Sequence, residues 1–135
     1  MKVVFDNNIW LSYAIGNHLD DLPHILLRKD IELFACSELL DEFERTRHYP
    51  KLQKYLKPER VAATIELINA KANVVSILYR TADFIDAKDN YLLDLCQTVL
   101  ADYLVTGDKP LLALEYFDKT QIISYRAFCD FLGLK

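Results

Sequence analysis

Lys2-Val3-Val4-Phe5-Asp6-Asn7-Asn8 decides the fold. An apolar run this short, stopped by residues that favour turns, reads as a buried strand. Strands buried on both faces belong to parallel sheets, whose crossovers lay helices on each side. The rest of the chain keeps to that plan. A helical stretch runs from about Ile9 to Ile15 and stops at Gly16-Asn17. Asp20 to Lys29 reads as a helix with Pro23 in its first turn and Leu22, Ile25 and Leu26 on its apolar face. Ile31 to Cys36 reads as a second strand, with Ser37 as N-cap of a helix reaching about Tyr49. Pro50 and Pro58 bracket a short helical piece, and a longer helix follows to about Ala72. Asn73 to Leu78 fits a strand or an extended loop. Asp86 caps a helix reaching about Leu100, and Tyr103 to Thr106 is a further buried strand. Lys109 to Tyr116 reads as a short helix, Gln121 to Ser124 as a strand and Tyr125 to Leu132 as a closing helix. The alternation predicts a three-layer α/β/α sandwich around a mainly parallel sheet.

A length of 135 residues is one domain's worth, and 52% hydrophobic with 27% charged residues fits a globular chain with a core. Only 3 Gly and 4 Pro exclude collagen-like and low-complexity classes. Cys36, Cys96 and Cys129 are widely spaced and odd in number, which suits buried free thiols better than a disulfide framework or a zinc site. The longest stretch without charge, Asn7 to Leu19, has 13 residues and three asparagines, too short and polar to cross a bilayer. A reducing, cytoplasmic setting without a membrane is expected. The net charge of -4 argues at first against nucleic acid. Its distribution argues otherwise. Arg45 to Arg60 holds Arg45, Arg47, Lys51, Lys54, Lys57 and Arg60 against one acid, Glu59. That segment is +5, so the rest of the chain carries -9. His48, Tyr49 and Tyr55 are interleaved with the cations, a mixture suited to an RNA backbone and unstacked bases. A solvated helical hairpin with its tyrosines packed inward is the competing reading of the segment.

Open α/β sheets place ligands beyond the carboxyl ends of their strands. Asp6 and Asp108 stand at two such ends, and each could equally be a helix N-cap. In the helix after Asp86, the apolar positions are Leu92, Leu95, Cys96 and Val99. Asp89 flanks that face, whereas Asp94 points nearly opposite and should be solvated. In the helix after Ser37, Glu42 and Glu44 flank the stripe Leu39, Leu40 and Phe43 on opposite sides, and periodicity does not choose between them. Converging carboxylates repel unless they protonate or share a cation. If Asp6, Asp89 and Asp108 meet a glutamate, the all-oxygen site suits Mg²⁺ or Mn²⁺, with positions left for water and substrate phosphate. That is a layout for metal-assisted phosphodiester hydrolysis. Asn8 would orient a water or a carboxylate there, or hold the turn.

These residues carry a family resemblance. Val4-Phe5-Asp6-Asn7-Asn8-Ile9, Ser37 to Phe43, Asp86 to Leu93 and Ala101 to Lys109 resemble, in order, the four blocks of PIN-domain proteins, the fold of VapC-type toxins and other ribonucleases. Ile122 to Leu132 resembles the family's final strand and helix. The resemblance implies one PIN-like domain over residues 1–135, with a helical basic segment at about 45–72. It implies an Mg²⁺- or Mn²⁺-dependent endoribonuclease, and the toxin member of a toxin–antitoxin pair. Asp6, Glu42, Asp89 and Asp108 would be its catalytic and metal-binding acids, the match selecting Glu42 over Glu44. Asp86 stands as a candidate beside or in place of Asp89. Thr106 or Asn8 would position the water or phosphate. Arg45, Arg47, Lys51, Lys54 and Lys57 would grip RNA, on a face that could instead receive an antitoxin protein. A homodimer is a further expected partner state. Two other readings compete. A haloacid-dehalogenase-type phosphatase also begins strand–Asp, but wants a second Asp where Asn8 stands. A non-catalytic PIN-like binding module would need none of the acids.

Overall fold

The first strand, β1 (Lys2–Phe5), runs through the middle of a six-stranded sheet, and Val3, Val4 and Phe5 are wholly buried. The computed structural model describes residues 1–16, 19–78, 80, 83 and 89–134. After β1 the chain forms α1 (Asn7–Ile15), which Gly16 ends in the left-handed conformation. It continues through α2 (Leu22–Leu26), β2 (Glu32–Ala35), α3 (Ser37–Thr46), a 3₁₀ turn at Pro50–Leu52, α4 (Pro58–Lys71) and β3 (Ala72–Val74). Beyond residue 88 come α5 (Asn90–Val99), β4 (Tyr103–Val105), α6 (Lys109–Leu114), β5 (Tyr116–Phe117), β6 (Thr120–Ile123) and α7 (Tyr125–Phe131).

The strand order is β3-β2-β1-β4-β6-β5, parallel except for β5 against β6. Two apolar cores lie on the two faces. Val3, Phe5 and Val105 pack with α1, α2, α4 and α7 on one side, and Val4, Leu104 and Ile122 pack with α5 and α6 on the other. Helix α3 serves both, Leu39 entering one core and Phe43 the other. This is the expected three-layer sandwich. Phe5 anchors one core edge-on to Trp10 and Phe128. The three cysteines are free and buried, as their spacing suggested. Among the described residues, no helix is long and apolar enough to cross a membrane.

Several local expectations are corrected. Cys36, not Ser37, holds the N-cap position of α3, and the Ser37 hydroxyl turns to Glu38 instead. The helix from Lys109 stops at Leu114 because Glu115 takes φ +61°, and Tyr116–Phe117 then pair as an edge strand with Thr120–Gln121. The tight connection is made by Asp118 at φ +53°, a left-handed conformation that aspartate tolerates. Asp94 is buried, not solvated. The chain leaving β3 crosses that side of α5, since the Leu78 amide donates to the Thr98 hydroxyl one helical turn beyond Asp94.

Candidate active site

Strand order fixes where a ligand can sit. The chain leaves β1 toward β2 on one side and returns as β4 on the other, so the crevice beyond the carboxyl ends of β1 and β4 is the topological switch point. Register pairs Phe5 with Val105, which brings Asp6 and the Thr106-Gly107-Asp108 loop side by side. The Asp6 amide donates to the Val105 carbonyl at 2.9 Å.

Asp6 is 5% exposed and occupies the N-cap position of α1, with no side-chain cap bond. Its carboxylate instead accepts from the Thr106 hydroxyl at 2.7 Å. That hydroxyl in turn accepts the Asp108 amide at 3.0 Å, so one threonine side chain joins both acids' segments. Asn8 accepts the Gly107 amide through its side-chain oxygen at 3.4 Å, which fits its turn-holding reading. Burial pushes the Asp6 carboxyl up to about 6, and the negative charges of Glu42 and Asp108 add to the rise against the Thr106 and Asn7 hydrogen bonds. Asp6, Glu42 and Asp108 are therefore electrostatic neighbours. Asp108 is the N-cap residue of α6, again without a cap bond, and its Oδ2 is buried with no hydrogen-bond partner among the described residues.

The two glutamates of α3 stand in different surroundings. Glu44 faces outward in a two-pronged pair with Arg47, at 2.8 and 3.0 Å, and also meets His48. Glu42 is half-buried and accepts the hydroxyl of Tyr91 from the first turn of α5. Burial, then the bond to Glu42, pushes the Tyr91 phenol far above its ordinary value, so it stays a donor. Asp89 is buried at the N-cap of α5, two residues before Tyr91. Asp86 lies outside the described residues. Sequence reading missed a second link: Asn7 donates to the Thr46 hydroxyl at 3.1 Å, and that hydroxyl donates to the Glu42 carbonyl at 2.8 Å.

The donors are all hard oxygens, and Asp108 keeps a buried oxygen with no hydrogen-bond partner among the described residues, so the chemistry of the set fits Mg²⁺ or Mn²⁺. Among the described residues, no three His, Cys, Asp or Glu side chains stand close enough together to hold an ion as they are.

Beside Glu42 opens a cleft of about 510 Å³, lined by Glu38, Asp41, Glu42, Arg45, Thr46, Tyr49 and Tyr91. It brings Arg45 and Tyr49 of the basic segment next to a candidate acid. Tyr49 and Tyr55 are 40% and 51% exposed, contrary to tyrosines packed inward. Lys51, Lys54 and Lys57 are exposed, with Lys54 over the Tyr55 ring. Arg47 is tied to Glu44 and borders a different hollow, with Gln53, Leu56 and Pro58. Arg60 is a structural residue, stacked on Tyr13 and bonded to its carbonyl.

Comparison with a solved structure of a VapBC2 complex agrees with this architecture. No curated protein matches the chain significantly. Among solved structures, the VapBC2 complex from Rickettsia felis, bound to a DNA fragment from its promoter, superposes with a TM-score of 0.60 at 16% identity. That match covers 90% of this chain and 97% of the other. The PIN domain of RRP44 from T. brucei gives a TM-score of 0.49 at 13% identity, covering 97% and 82%. The PIN-domain family model matches residues 2–110, from the first strand to the first turn of α6, and the chain belongs to the PIN-domain family.

Proposed function

We propose that the chain is a metal-dependent endoribonuclease, the toxin member of a toxin–antitoxin pair. In this reading Asp6, Glu42, Asp89 and Asp108 hold Mg²⁺ or Mn²⁺. The observation that carries it is the state of Asp6: a buried carboxyl at the switch point, loaded by the charges of Glu42 and Asp108. A divalent cation would neutralise carboxylates placed in this way. Family membership supports a nuclease, and the likeness to a VapBC2 complex supports an antitoxin protein as partner.

When bound, the cation would neutralise charge on a phosphodiester and make water nucleophilic near neutral pH. The chain's own groups do the rest. Thr106 holds the Asp6 carboxylate and, through the Asp108 amide, fixes the spacing of the two strand-end acids. Asn8 clasps the same loop at Gly107. Arg45 faces the backbone of a strand entering the cleft, and Tyr49 offers a ring to an unstacked base. Lys51, Lys54 and Lys57 extend the positive surface beyond the cleft. One observation favours the rival reading, a non-catalytic module: among the described residues, no three acids stand close enough together to hold an ion. Calorimetric titration with Mn²⁺ separates the two. The nuclease reading expects binding that Asp108→Asn weakens at least tenfold, and a folded parent with no Mn²⁺ affinity would favour the module.

A further inference from the structure

Acidic side chains of this fold are held in two different ways. On α3, Glu38 pairs with Arg80, and Glu44 pairs with Arg47 and His48. Near the N-terminus of β2, Asp30 pairs with Arg28. These carboxylates have spent their charge on a cation of the chain. Asp6 and Glu42 are held by neutral hydroxyls, Thr106 for one and Tyr91 for the other. A neutral donor fixes the direction of a carboxylate and leaves its full negative charge available to something else. A guanidinium in the same place would cancel the charge and compete with a divalent ion.

Tyr91 suits that task by position. It stands in the first turn of α5, two residues after Asp89, and its half-buried ring walls the cleft beside Thr46 and Tyr49. Its hydroxyl reaches across to α3 and donates to Glu42 Oε1. Glutamate has three side-chain torsions, and without such a bond its carboxylate would sample several directions.

We propose that Tyr91 is the positioning residue for Glu42, tying the acid of α3 to the helix that carries Asp89 so that a divalent cation meets a preset carboxylate. This rests on the metal-dependent reading above. Tyr91→Phe keeps the ring and removes only the hydroxyl. Its affinity for Mn²⁺, measured by calorimetry, should fall about tenfold or more. RNA cleavage at saturating Mn²⁺ should stay within a few-fold of the parent, with the loss appearing as a higher half-saturating Mn²⁺ concentration. Because the hydroxyl acts through Glu42, Glu42→Gln should abolish the effect: Y91F/E42Q should bind Mn²⁺ no more weakly than E42Q alone. Tyr91→Met, which also lacks the hydroxyl, should repeat the loss if Y91F folds poorly by circular dichroism. Unchanged Mn²⁺ affinity in Y91F, or the same loss persisting in the E42Q background, overturns the proposal and leaves the nuclease reading intact. A folded parent that binds no Mn²⁺ overturns both.

Discussion

Asp6 is held neutral at a pH where an exposed aspartate would be charged, and this has a measurable sign. The unfolded carboxyl releases its proton near its ordinary 3.8, the folded one near 6. The neutral form's contribution to stability is therefore fully present below about pH 3.8 and is lost as pH rises through about 6. A gap of this size corresponds to about 3 kcal/mol. With chelator present, Asp6→Asn should gain stability over the parent by about that order between pH 4 and pH 7, read from urea unfolding. A stability difference that does not change with pH would mean that Asp6 titrates normally. Asp6 and Asp108 were legible in the sequence because strand ends announce themselves by an apolar run followed by turn residues. Glu42 was not separable from Glu44 by periodicity, since both flank the same stripe; the family match chose it from the sequence, and in the structure the approach of α5 distinguishes the two. Tyr91 was illegible for the same reason, because its role depends on how two helices meet across the sheet end.

At the scale of elements, the joint between α1 and α3 sets where Glu42 sits relative to Asp6. Asn7 and Thr46 form it, and both are buried. Thr46→Val preserves shape but strands the Asn7 amide, and should cost about 1–3 kcal/mol in urea unfolding. The segment between α3 and α4 makes a different prediction. Neutralising Lys51, Lys54 and Lys57 together should lower RNA affinity and flatten its dependence on salt by about two units of logarithmic slope. An unchanged slope would assign these lysines to solvent alone. Helices and strands with strong periodicity were readable, including the apolar positions of α5 and the short helical piece at Pro50. The edge strand β5 was not, because its two residues carry no period and it exists only by pairing with β6. Asp94 was misplaced because a helical wheel knows its own core face but not which loop will cover the opposite one.

For the whole molecule, the sheet order does most to define function. Parallel strands on either side of β1 create one switch point; Asp6 and Asp108 follow the strands that flank it, β1 and β4, and Glu42 of α3 is an electrostatic neighbour of Asp6. The net charge of -4 concealed this arrangement, averaging a basic segment with an acidic crevice that share one cleft at Glu42 and Arg45. If the crevice cleaves RNA with the help of a divalent cation, a mixed single-stranded RNA pool incubated with the folded chain should yield endonucleolytic products with Mn²⁺ and lose them with chelator, and the folded Asp6→Asn variant should yield none. Full cleavage by Asp6→Asn, or cleavage undiminished by chelator, would exclude this reading.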